Sequence, residues 1–397
     1  MKYILAIYML TVSLLQGATH YIYTYENATN EFKSVRSGDT VVFKNGTHIV
    51  SERIDLVNLN SVVIKGESGS KINLAKGGNK PGVFYIQGCT SLKISNLTID
   101  GGFSPTNASN SDQSTKHNLP FIEIKASTAT RIENSLFRNH WKPAIVATQA
   151  NGAVKNTTIH NCDFYFVGNG HDVTGNKSDR KQAIAFSRWN GNVGDSTGNV
   201  VSHCYFEDIG LDCISFSEIY DSDILHNVIR GNDAGSIYVS RCNDINIEYN
   251  NVRNDEQGGN GIDIINSSNI LVYKNTCYRN GAAGILIAGA STNISLEYNK
   301  CYNNFRSSLT ATPSVHRGGI TISKQKGNSS TPYNVTLSGN NSFNTSSIST
   351  TASQEAGVYW YSADGFSLFN KILILSGNTI SNFKRSDGKN CSSLIAY

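Results

Sequence analysis

Six prolines, two methionines and three tryptophans are all that occur in 397 residues, and charged side chains make up only 16%. With so little proline there is no proline-rich spacer, and no linker or second domain stands out. Lys and Arg (34) nearly balance Asp and Glu (30), a formal charge of +4, so nothing global suggests a nucleic-acid partner. After residue 18 no apolar run approaches the roughly 20 residues a membrane span needs. None of the eight cysteines has zinc-ligand spacing. What is abundant is Gly, Asn and Ser, the punctuation of short strands and tight turns.

The first 18 residues have a Lys near the start, an apolar middle and small residues at Gly17 and Ala18. That is the pattern of a secretory signal peptide, which predicts a secreted protein whose domain runs from 19 to 397. An oxidising destination draws attention to the cysteines. Cys277 and Cys301 occupy one repeat position, and Cys162 and Cys204 another. Stacking would bring each pair within disulfide reach, while a ladder of buried thiols is the plainer alternative. Sequons at Asn27, Asn45, Asn96, Asn156, Asn266 and Asn293 would be glycosylated only in a host that does so.

The chain is organised around a repeat. "ILHNVIRGN" (224–232), "IEYNNVRN" (247–254), "VYKNTCYRN" (272–280) and "LEYNKCYNN" (296–304) share one pattern, with Asn at 227, 250, 275 and 299. A second apolar strand precedes each: "CISFS", "SIYVS", "GIDII" and "GILIA". Units this small cannot bury their apolar residues alone, so they must stack, about 4.8 Å apart. The four asparagines are then expected to form an internal amide ladder. "YENATNEFKSV" has helical spacing suited to capping the first coil, and polar stretches at 103–118, 168–181 and 305–317 break the period as loops.

These repeats resemble the right-handed parallel β-helix, pectin-lyase-like superfamily, and "SGDTVVFKNGTHIV" (37–50) resembles the entry segment of its pectate-lyase-like members. The expected fold is all-β, a single right-handed parallel β-helix solenoid with short end caps and loop insertions.

Alternation places candidate residues. If Ile145, Ile184, Ile214, Ile237, Ile262, Ile285 and Ile320 point inward, then Val146, Ala185, Ser215, Tyr238, Asp263, Leu286 and Thr321 point outward. Ser217 lies two places further along its strand, and Arg188, Glu218 and Arg241 lie at strand ends. Lys142, Lys181 and Arg317 precede their strands by three places. Cations around small hydroxyls suit an extended anionic chain, and a uronate polysaccharide is the expected partner. Proton abstraction at C5 needs the uronate carboxylate neutralised, and Arg188 and Arg241 are candidates. Tyr238 or Lys181 could serve as base or acid. Lys142, Ser215, Ser217, Asp263 and Arg317 would bind substrate, and Asp212 with Asp263 could hold Ca²⁺.

Each role has a plainer alternative: Arg188, Glu218 and Arg241 could form a surface ion-pair ladder, and Tyr238 beside Asp263 a simple cross-coil hydrogen bond. Motifs of known subfamilies are incomplete. Alginate-type C5-epimerases carry Asp-Pro-His, for which the nearest string is Gly170–His171–Asp172. The catalytic Lys of chondroitinase-B-like lyases falls where Ser217 or Glu218 stands. Polygalacturonase-like hydrolases use clustered aspartates, of which Asp212 is present without an evident partner. The sequence therefore supports a secreted lyase or C5-epimerase of acidic polysaccharides, with a non-catalytic glycan-binding or adhesion β-helix as the alternative and a glycoside hydrolase behind both.

Overall fold

The computed structural model describes residues 17–75, 82–102, 119–149, 152–168, 181–187, 196–232, 235–253, 259–304, 318–324, 332–343, 356–362, 372–374 and 377–381. Each full coil contributes three short strands to three parallel sheets that run the length of the molecule. In one coil these are Ile214–Ser217 in sheet I, Ile219–Leu225 in sheet II and Val228–Asn232 in sheet III. The next coil repeats them as Ile237–Ser240, Asn243–Glu248 and Asn251–Arg253. The sequence repeat is thus bent where it looks continuous: "ILHNVIRGN" spans the end of sheet II, a corner and the start of sheet III.

Left-handed backbone makes the corners. Glu218, Arg241 and Asn266 take positive φ between sheets I and II, and His226, Tyr249, Lys274 and Tyr298 do so between sheets II and III. One such residue reverses the pleat and turns the chain without a loop.

The interior is a set of ladders. Ile145, Ile184, Ile214, Ile237, Ile262, Ile285 and Ile320 are in register up sheet I and fully buried, as alternation requires. Phe137, Phe164 and Phe206 stack at 5.0 and 4.8 Å in sheet III. Each fully buried aliphatic or aromatic side chain contributes about 1.5–3 kcal/mol. At the N-terminal end the short helix Ala28–Phe32, capped by Asn27, lays Phe32 against Phe43 and Phe84 and closes the first coil.

The amide ladder forms and runs further than the repeat alone suggests. Asn227 Nδ2 donates to Asn250 Oδ1, Asn250 to Asn275, Asn275 to Asn299, Asn299 to Asn340 and Asn340 to Asn378, all within 2.9–3.2 Å. The same Oδ1 atoms also accept the backbone N–H of the preceding coil's asparagine. Buried corner amides that could not otherwise be satisfied are thereby paired. Cys204 and Cys162 continue the column below Asn227; all seven described cysteines are buried free thiols, the plainer of the two alternatives for the 162–204 and 277–301 pairs. Among the described residues no helix is long and apolar enough to cross a membrane.

Candidate functional site

The register up sheet I puts Ala185, Ser215, Tyr238, Asp263, Leu286 and Thr321 in one outward column, as alternation predicts. Ser217 and Ser240 are neighbours in the second column. Their setting differs from an open cationic groove. Ser215, Ser240 and Asp263 are buried, while Tyr238 and Ser217 are half-buried. Towards the C-terminal coils the same face turns apolar, with Ala283, Leu286 and Ala288 packed together against Ile265. The sequence signal for this was present in Leu286 and Ile265, whose outward positions should be polar on an open face.

Three of the candidate cations are among the described residues. Lys142 and Lys181 are half-buried at the start of neighbouring sheet I strands. Arg241 occupies the corner beyond the strand's other end, its side chain 62% exposed, with Nε 3.1 Å from Glu218 Oε1 on the coil below. That is a surface ion pair between coils, the plainer reading of these positions. Arg188 and Arg317 lie outside the described residues, as does the Gly170–Asp172 string.

What the fold does assemble is a pair of carboxyl groups. Asp212 stands two places before the inward Ile214, Gly235 two before Ile237, and Asn260 two before Ile262. Asp263 reaches towards Asp212 from two coils away across the gap that Gly235 leaves. A Cβ built on Gly235 would lie 2.6 Å from Asp263 Oδ2 and 2.9 Å from Asp212 Oδ1, so those oxygens are no farther apart than the two distances together. Asn260 Nδ2 donates to the other oxygen, Asp263 Oδ1, at 2.7 Å, and Asn260 Oδ1 accepts from Ala283 N at 2.9 Å, which fixes the amide's orientation.

Both acids are about as buried as core residues, at 8% and 7% exposed. Burial and then the neighbouring Asp263 push Asp212 well above the usual carboxylate range. Burial raises Asp263 to about 7 despite the opposing hydrogen bond from Asn260. Two carboxyl groups this close and this dry resist ionising together, because that would place like charges side by side in low dielectric. Asp212 thus has an aspartate partner, Asp263. Searching the next coil alone misses it; the sign in the sequence is Gly235, a missing side chain in the column between them.

Calcium fits these residues poorly. It prefers six to eight oxygen ligands, and among the described residues no group of three or more His, Cys, Asp or Glu is placed to hold a metal ion. Asn260 turns its donor end towards Asp263, and the pair's remaining charge is titrated by a proton.

Comparison with known proteins agrees with this architecture. Residues 221–393 match the family described as right handed beta helix region. No curated protein matches the sequence. Among solved structures, a surface adhesin of Streptococcus pneumoniae superposes with a TM-score of 0.57 at 13% identity, over 92% of this chain and 91% of that one. The catalytic unit of a GH87 α-1,3-glucanase from Streptomyces thermodiastaticus gives 0.52 at 10% identity, over 94% and 69%. The A-module of an Azotobacter vinelandii mannuronan C-5 epimerase gives 0.50 at 12%, over 90% and 97%. At such identities the likeness is one of fold. The chain is a right-handed parallel β-helix.

Proposed function

We propose that the protein is a secreted carbohydrate-active enzyme that uses the Asp212–Asp263 pair as proton donor and acceptor on a polysaccharide. The observation that carries this reading is the convergence of two raised carboxyl groups on Gly235. A carboxylic acid that keeps its proton near neutrality can protonate a glycosidic oxygen as the bond breaks, and its ionised partner can stabilise or attack the sugar carbon. The bound on the oxygen–oxygen distance is shorter than the spacing of inverting pairs, about 6.5–9.5 Å, and is compatible with the closer pairs of retaining glycosidases. Glycosidic-bond hydrolysis is therefore the reading favoured by the geometry. Fold neighbours that act on or adhere to very different targets add no weight to it.

A second reading keeps the chemistry expected from the sequence, β-elimination or C5-epimerisation of a uronate polymer. It is favoured by Tyr238, half-buried and in register between Ser215 and Asp263, with Lys181 two coils below. There Tyr238 would move the C5 proton, a protonated Asp263 would hydrogen-bond the uronate carboxylate, and Lys181 and Lys142 would offset its charge.

Incubation with alginate, pectate, xylan and α-1,3-glucan separates them. New reducing ends without the ultraviolet absorbance of an unsaturated sugar, lost in both Asp212→Asn and Asp263→Asn, support hydrolysis. An absorbing product, or C5 inversion seen by proton NMR, supports the uronate chemistry and removes hydrolysis. Polymers unchanged throughout would leave a glycan-binding or adhesion protein.

A further inference from the structure

The corner between sheets II and III faces away from sheet I and carries a column of eight exposed residues, one per coil: Asn96, Asn134, Asn161, His203, His226, Tyr249, Lys274 and Tyr298. All eight take left-handed backbone, with φ between 50° and 57°. Asparagine suits that conformation, and Gly339 follows Tyr298 in the same column. Bulky rings do not suit it, and strained backbone held by bulky side chains concentrates where it is used. Here the rings gain little burial in return, since Tyr249 is 40% and Tyr298 55% exposed.

We propose that this corner is a second, non-catalytic binding track for a polysaccharide chain, separate from the Asp212–Asp263 site and independent of its chemistry. Its N-terminal end is a concave groove of about 340 Å³ lined by Glu67, Thr98, Asp163 and the three asparagines, among others. Asn161 Nδ2 donates to Asn134 Oδ1 at 2.7 Å, which orients the amides side by side; Glu67 is engaged by Lys44, so the Asp163 carboxylate and the amides are what the groove offers to sugar hydroxyls. Further along, the track becomes aromatic. His203, His226 and Tyr249 stack at 4.9 and 4.8 Å. Tyr249 gives one face to His226, while Tyr273 stands at 86° to Tyr249 and 90° to Tyr298, so neither of these contacts stacks Tyr273 or Tyr298 face to face. Lys274 Nζ lies 4.9 Å from the Tyr273 ring centre and 5.5 Å from that of Tyr249.

Amphipathic sugar rings pair apolar faces with such phenols and hydroxyls with such amides. The coil rise of about 4.8 Å is close to the length of one sugar unit in an extended chain, so successive coils meet successive sugars. The shared ligand chemistry is an extended pyranose chain, and the experiment distinguishes an anionic chain from a neutral one.

The test is native gel electrophoresis of the full chain through alginate (anionic) and, separately, xylan (neutral). The wild-type protein is expected to be retarded by one of them. Tyr249→Asn combined with Tyr298→Asn installs the residue that the same column uses elsewhere, one that accepts left-handed backbone. This variant is expected to keep the wild-type melting temperature and to bind at least fivefold more weakly. Asn134→Gly, which removes a groove amide without straining the corner, is expected to weaken binding to the same polymer, and Asn246→Ala, at an exposed position of sheet II outside the column, to leave it unchanged. The proposal is overturned if neither polymer retards the wild type, if the tyrosine variant is retarded as strongly as wild type, or if Asn246→Ala weakens binding as much as the tyrosine variant does.

Discussion

Asp212 and Asp263 come from coils two apart and meet over Gly235, which gives them room by having no side chain. A methyl group at 235 would touch both carboxyl groups well inside van der Waals contact. Gly235→Ala is therefore expected to separate the pair and lower kcat on the responsive polymer by at least tenfold, while a melting curve still shows a folded solenoid. A variant with unchanged kcat would detach the pair from the chemistry.

The pair also makes stability depend on pH with a definite sign. Asp263 holds its proton to about 7 in the folded chain, whereas an exposed Asp loses it near 3.9. The folded state thus binds more protons between those values, and stability falls as the pH rises through that window. Asp212, raised by burial and by Asp263, acts in the same direction. Asp263→Asn removes the penalty, and its stability relative to wild type should improve by up to roughly 4 kcal/mol between pH 4 and pH 8. Urea titrations at the two pH values check this, and an equal difference at both would show that Asp263 ionises normally.

Arg241 calls for the opposite expectation. Its guanidinium is mostly in water and paired with Glu218 across coils, an arrangement worth less than about 1 kcal/mol. Arg241→Ala should change stability by no more than that and leave kcat within about threefold. A loss of a hundredfold or more would return Arg241 to the reacting centre.

In the amide ladder, Asn250 bonds upward to Asn275, accepts from Asn227 and reaches the carbonyl of Ile224. Asn250→Ala strands several buried polar groups at once, each costing about 1–3 kcal/mol. A loss of at least about 3 kcal/mol in chemical denaturation is expected, against a small change for the exposed Asn246→Ala.

The solenoid was legible because its signals are local and repeat. The inward isoleucines, the amide rungs and the helical cap over Ala28–Phe32 each follow from spacing alone. The third strand was not, because a corner of one left-handed residue such as His226 leaves no Gly or Pro behind as a mark. The candidate site was half legible. Alternation set Asp263 outward beside Tyr238, but its partnership with Asp212 depends on two coils and the vacancy at Gly235. Exposure was the least readable property, since Ser215 and Leu286 hold equivalent outward positions and both are buried.

The rung from Asn299 to Asn340 joins residues 41 apart in sequence, yet its 3.0 Å bond matches the 2.9 Å rung between Asn227 and Asn250, only 23 apart. The spine therefore forms its rung across a longer sequence separation with the same geometry. A foreign peptide grafted between 304 and 318 should accordingly be carried as cargo, whereas one added residue between Asn275 and Thr276 would shift the strand Thr276–Tyr278 against its neighbours and strain the rung to Asn299.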